Sequence, residues 1–323
     1  MTAPLPAESV VQVVDLRRVR GREIEPVLEE EIRLWRDSLD WDFSASAELV
    51  LRFVNMKSLS GCGLYVNGRL EGYNYYITEE HKGMVGDMFL REEFRHQEFE
   101  NALLSGALDA LMGERGIRRV ETQLMNLSSP LWRRLPYPLW LQVYPRTFMT
   151  KPLSGGELAP GTGAGVVVVG PWKEQWFEEG ARLITAGYKG HVDSKINDQY
   201  RALPGSRKFL LNVIQYPGCG RFFAAGSLVA FRRDTGAPCG LILSSLVGPR
   251  TGHITQICVA PEARGYGVGY ELLRQSLIEL SRYGCQKVSL TVTSSNVPAI
   301  RLYERMGFRA EREFAAHVWE GWR

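Results

Sequence analysis

The chain of 323 residues has no Cys-x-x-Cys pair; its five cysteines stand apart at positions 62, 219, 239, 258 and 285. That scatter supplies neither a zinc site nor a disulfide framework, so no metal is expected. A reduced, cytoplasmic setting follows as the expectation. No run of about 18 apolar residues occurs, which argues against a membrane span. The opening "MTAPLPAESVVQVVDLRRVRG" lacks a basic segment followed by an apolar one, so it does not read as a signal peptide. No block of lysine and arginine occurs, and a formal net charge of +3 leaves no electrostatic footprint for nucleic acid. What remains is 45% apolar and 23% charged, an ordinary soluble composition. At this length two domains are the default.

The weakest stretch is "LSGGELAPGTGA", residues 153–164, which has four glycines, a proline and no periodicity. It reads as a flexible linker between domains at 1–152 and 165–323. The second half reads clearly. "AGVVVVGPW" is a strand, "EQWFEEGARLITAGY" an amphipathic helix, and "GHVDSKINDQYRAL" a polar, partly helical stretch. "GSLVAFRR" and "APCGLILSSLVG" are strands joined at Asp-Thr-Gly. "GHITQICVA" is a strand, "YELLRQSLIELSRYG" a helix ending at Gly284, "QKVSLTV" a strand, "PAIRLYERMG" a helix and "FRAEREFAAHVW" a strand. The class is α/β with a mixed sheet. The first half repeats this faintly. A strand and helix lead into a hairpin around Asn67-Gly68, then strand "MVGDMFL", helix "FENALLSGALDALMGERG" and strand "IRRVETQL". A slide of 169 positions lays Arg264 on Arg95, Gly267 on Glu98 and Gly269 on Glu100.

"APEARGYGVGYELL" places glycines at 265, 267 and 269 between a strand and a helix. A helix N-terminus offers unpaired N–H groups and partial positive charge, and missing Cβ atoms admit phosphate oxygens. The same composition also suits a tight turn packed on a strand. The dinucleotide fingerprint fails at Tyr270, and no Gly-Lys-Ser/Thr exists for a P-loop. The spacing that fits is Arg264-x-x-Gly267-x-Gly269. This segment resembles the acetyl-CoA signature of the GNAT acetyltransferase superfamily, and "NVPAIRLYERMGF" resembles that family's next motif, N-x-x-A-x-x-L-Y-x-x-x-G-F.

The resemblance implies two tandem GNAT-like domains, the first a degenerate copy. Each would hold a mixed, mostly antiparallel sheet with a splayed parallel pair and flanking helices. Acetyl-CoA would be the acyl donor. Its pantetheine arm would lie between "HITQICVA" and "KVSLTVT" near Cys258 and Val259, and its pyrophosphate would sit on Arg264, Gly265, Tyr266, Gly267, Val268 and Gly269. Asn296 would bond the arm, cap the helix, or do both. Tyr303 would protonate the leaving thiolate, since a phenol keeps its proton at neutral pH. His253, in the family's approximate place for a base, is read either as that base or as a strand histidine beside a turn. Strand alternation would put His253, Thr255, Ile257 and Val259 on one side. His191, Asp193, Asn197, Asp198 and Tyr200 are candidates to hold the acceptor, a small-molecule or protein amine; any one of them also suits a solvated face. No cysteine is paired with a histidine, so a thiol nucleophile is not expected. The oligomeric state is left open.

In the first half, Glu98 and Glu100 would oppose a pyrophosphate, and "NLSSPLWRRLPY" lacks the tyrosine frame. That half is expected to be structural or to position the acceptor. The expected activity is N-acyl transfer to a primary amine. The rivals are an acyl-CoA-binding regulator without catalysis and an aminoacyl transferase fed by charged tRNA; the glycine loop and the small net charge disfavour the second.

Overall fold

The computed structural model describes residues 10–128, 131, 133–153, 158–216 and 218–323. The first nine residues, part of the stretch on which the signal-peptide reading rested, lie outside that set. So do Ser129, Pro130 and Trp132 of "NLSSPLWRRLPY" and residues 154–157 of the glycine-rich segment. The chain forms two compact units. Of the described residues, unit 1 comprises those up to 39, those within 43–145 and 313–323; unit 2 comprises 40–42 and those within 146–312.

Unit 1 opens with β1 (Val11–Asp15), α1 (Gly21–Leu39) and α2 (Ser44–Asn55). The hairpin of β2 (Gly61–Val66) and β3 (Arg69–Glu79) turns at Asn67 and Gly68. Both carry positive φ, 51° and 80°, the conformation that a two-residue type I′ turn demands. β4 (Lys82–Leu90), α3 (Gln97–Gly113) and β5 (Arg119–Gln123) follow.

Unit 2 takes residues 146–152 of β6 (Leu141–Pro152), then β7 (Val167–Pro171), α4 (Phe177–Gly187), the single turn α5 (Asp193–Ile196) and α6 (Leu203–Gln215). Next come the short β8 (Arg221–Phe222), β9 (Leu228–Arg232), β10 (Pro238–Gly248), β11 (Thr251–Val259), α7 (Val268–Tyr283), β12 (Lys287–Thr293) and α8 (Val297–Arg305). β13 (Arg309–Glu320) ends the chain's strands, and its residues from 313 onward belong to unit 1.

Each unit holds a mixed sheet of the same plan. In unit 1 the order is β1-β2-β3-β4-β5-β13, antiparallel except for the parallel pair β4 and β5. In unit 2 it is β7-β9-β10-β11-β12-β6, antiparallel except for β11 and β12. The repeat holds in register. The parallel pairing runs over Lys82–Val85 in unit 1 and Thr251–Ile254 in unit 2, the same residues under the 169-position slide. Each strand then carries one unpaired extra residue, Gly86 and Thr255 respectively. An inserted residue of this kind reverses the facing of everything beyond it.

The final strand of each sheet comes from elsewhere in sequence. β13 pairs with β5, and residues 146–152 of β6 pair with β12. The division therefore falls at 145/146 and not at the glycine-rich segment. The described part of that segment is fastened within unit 2. Tyr270 donates its hydroxyl to Ala159 O at 2.9 Å, and residues Thr162–Gly165 form a 3₁₀ turn against Gly267.

Candidate active site

The parallel pair β11 and β12 stays hydrogen-bonded only through Ile254 and Leu290, although both strands continue to Val259 and Thr293. Beyond that point a gap opens. Ala260 donates its N–H to Cys239 O across to β10. Backbone N–H groups alternate sides along an antiparallel strand, so the N–H groups of Val259 and Ile257 face the gap. Tyr188, at the end of α4, reaches Ile257 O with its hydroxyl at 3.5 Å.

At the end of β11 the chain enters the glycine loop. Gly265 and Gly267 have φ of +83° and +79°, values that side chains rarely adopt. Gly267 is the N-cap of α7, where a Cβ would lie 2.6 Å from Thr162 Oγ1 and 2.7 Å from Gly163 N. Nothing lies within 4 Å of a Cβ built at Gly265, so this backbone is open to an approaching ligand. Gly269 is ordinary helix, facing Leu302 and Val259. Val268 anchors the first turn in the core, while Tyr266 is exposed. Arg264 folds back onto the strand end, donating to Val259 O at 3.2 Å and Gly187 O at 2.5 Å. Its side chain braces the loop; the unpaired donors of the site are the first N–H groups of α7.

The other mouth of the gap is lined by a polar cluster. Asp193, opening α5, accepts the hydroxyl of Thr293 and lies 3.7 Å from Arg146 Nη1 and 3.7 Å from His191 Nδ1. Asn296 caps α8 through Ala299 N at 3.4 Å and meets His191 Nε2 at 3.2 Å. Tyr188 stacks on Tyr200 with ring centres 4.4 Å apart and meets His191 edge-on at 5.3 Å. Tyr303, on the inner face of α8, is buried. Burial first, then the negative charge of Asp193, push its phenol above the ordinary range, with Arg146 opposing. The proton on Tyr303 is therefore held throughout the neutral range. Tyr188 and Tyr200 are raised mainly by burial as well.

His191, Asp193, Tyr200, Asn296 and Tyr303 thus converge. Asn197 serves its own turn, accepting from Gln199 N at 3.0 Å and bonding Tyr200. Asp198 opens the following 3₁₀ turn. Sequence reasoning missed Tyr188, Thr293 and Arg146. Their signal was weak: Tyr188 and Thr293 are single polar residues at the ends of elements, and Arg146 lies in a strand that had not been recognised. Gln256, on the same face of β11 as Cys258, was missed too; its amide nitrogen is buried without a partner among the described residues.

His253 does not join the cluster. The extra residue Thr255 reverses the strand, so His253 shares a face with Gln256 and Cys258, not with Ile257 and Val259. It lies in the closed part of the strand pair, six residues or roughly 20 Å from Val259 at strand rise. Its Nδ1 bonds Ser289 Oγ at 2.9 Å, and Trp41 packs against its ring edge-on at 5.0 Å. Burial pushes its pKa down to about 3. An imidazole so placed has neither access to the gap nor the basicity of a catalytic base. Cys258 is inert for the converse reason: burial pushes its thiol up to about 12.

The model of the acetyltransferase (GNAT) family matches residues 197–308, which hold the gap, the glycine loop and α8. The chain carries a GNAT acetyltransferase domain. The chain is 26% identical to the mycothiol acetyltransferase of Thermobispora bispora, over 80% of its own length and 83% of that protein's. It is 38% identical to that of Corynebacterium jeikeium, but over 61 residues, 18% of that protein's length. Among solved structures it is similar to a GCN5-related N-acetyltransferase from Sphaerobacter thermophilus, with TM-score 0.65, 18% identity and coverage of 98% and 97% of the two chains. A tandem GNAT protein from the clavulanic acid biosynthesis pathway aligns at TM-score 0.59 and 14% identity, covering 96% and 98%. Those two likenesses concern the fold.

The matching place in unit 1 is built differently. No residue from Arg91 to Asn101 has positive φ, so the loop before α3 does not take the same turn. Glu100, at the position of Gly269, is 1% exposed. Its carboxylate accepts from Ser128 N and Ser128 Oγ, both at 2.8 Å, and from Arg133. Asp87 stands where Gln256 stands in unit 2, buried beside Glu31. Burial and the nearby Asp87 raise Glu31 well above the carboxylate range. Among the described residues no cluster suited to a metal ion occurs, and no helix is long and apolar enough to cross a membrane.

Proposed function

We propose that unit 2 transfers an acetyl group from acetyl-CoA to a primary amine by direct attack on the thioester. The observation that carries this reading is the coincidence, at one splayed strand pair, of an open positive-φ glycine loop with a buried, protonated tyrosine. The loop suits a diphosphate, with Arg264, Gly265, Tyr266, Gly267, Val268 and Gly269 around it. The N–H of Val259 faces the gap and suits the oxyanion of a tetrahedral intermediate. The amine nitrogen forms the new bond to the carbonyl carbon, giving that intermediate, and the carbon–sulfur bond breaks as it collapses. Tyr303 supplies the proton that the thiolate takes. His191, held between Asp193 and Asn296, receives the proton that the amine loses. Unit 1 holds no acetyl-CoA in this reading, because Glu100 already occupies the anion position.

The test is thiol release from acetyl-CoA across a library of primary amines. At least one amine should support turnover, and Tyr303→Phe should lower kcat by about 10²-fold with KM little changed. Binding of acetyl-CoA without release on any amine would favour a regulatory binding protein instead.

A further inference from the structure

Arg146 is the cross-strand partner of Thr293, at the end of β12 that leads into α8. Its Nη1 donates to Thr293 Oγ1 at 3.3 Å and faces Asp193 Oδ1 at 3.7 Å. The side chain is only 12% exposed, and Nε, sealed from solvent, has no hydrogen-bond partner among the described residues. A buried donor left unpaired costs free energy, and such groups are uncommon without a functional reason. Asp193 has capacity to spare as well. Its Oδ1 takes Thr293, while its Oδ2 faces His191. One carboxylate and one guanidinium thus stand side by side at the acceptor mouth, and the charges of both reach the phenols of Tyr200 and Tyr303.

A simple amine would engage Asp193 and leave the remaining donors of Arg146, on a side chain that is still 12% exposed, without a partner among the described residues. A second group that is anionic, planar and has two oxygens matches those donors, since a guanidinium grips a carboxylate with two parallel bonds. We propose that Arg146 is a specificity-determining residue that binds a carboxylate on the acceptor, so that the acceptor is a small amino acid and not a simple amine. The amine sits toward Asp193 and His191, and the carboxylate toward Arg146. This rests on the transferase reading of the same site.

The experiment compares amino acids of increasing amine-to-carboxylate spacing with their carboxamides, reading thiol release with acetyl-CoA. For the best acceptor, kcat/KM of the acid should exceed that of its amide by about 10- to 100-fold, the worth of a hydrogen-bonded charge pair. Arg146→Gln should bring the ratio close to one, chiefly through KM of the acid, and Arg146→Lys should retain part of it. Equal kcat/KM for acid and amide throughout the wild-type series would overturn the assignment. So would an equal loss on both series in Arg146→Gln, the mark of a purely structural ion pair. Should that variant not fold, the wild-type ratio and Arg146→Lys decide. No release from any amine in either series would sink the transferase reading itself.

Discussion

A histidine sealed from water binds a proton poorly, and His253 carries that cost. In the unfolded chain its imidazole titrates near 6.5; in the fold it does so at about 3. Between those values the unfolded state takes up a proton that the folded state refuses. The contribution is therefore complete above about pH 6.5 and is lost as pH falls toward 3, by up to about 1.4 kcal/mol per pH unit. His317 in unit 1, lowered to about 4 by burial and the charge of Arg133, acts in the same direction. Urea unfolding from pH 7 to 4 should show a shallower decline in His253→Gln than in the wild type. An unchanged slope would show that His253 is solvated. At this scale the sequence was half legible. Asn296 and Tyr303 stood in a recognisable motif, but nothing local marks a histidine as buried, and nothing local joins Arg146 to Asp193 or Thr293.

Among the elements, the glycine loop was the most legible, because backbone conformation dictates residue type there. The three glycines are not equivalent. Gly267→Ala meets both a positive φ and the backbone of residue 163, whereas Gly265→Ala meets only the φ penalty, about 1–2 kcal/mol. Gly267→Ala should therefore lower the melting temperature and weaken acetyl-CoA binding more than Gly265→Ala, by calorimetry on both variants. Equal effects would mean that the 162–165 turn yields freely. The strand bulge at Thr255 was illegible. One extra residue leaves composition and periodicity almost unchanged, yet it puts His253 and Val259 on opposite faces. Helix α6 was hidden by Pro204 and Gly205, which read as a break although proline suits a first helical turn. Strand β6 was hidden because its partner β12 lies about 140 residues later in sequence.

For the whole molecule, the duplication was readable from a slide of 169 positions, and the matched registers and bulges bear it in detail. The division point was not readable. Composition marks the glycine-rich segment, but strand pairing assigns residues 146–152 to unit 2 and the chain's last strand to unit 1. The two units keep one plan and differ in what stands at the anion position: open backbone in one, a buried carboxylate held by Arg133 in the other. Titration calorimetry of the intact chain with acetyl-CoA tests that contrast most directly. One equivalent per chain is the expected stoichiometry, with affinity reduced in Gly267→Ala. Two equivalents, or no binding heat at saturating ligand, would contradict the account.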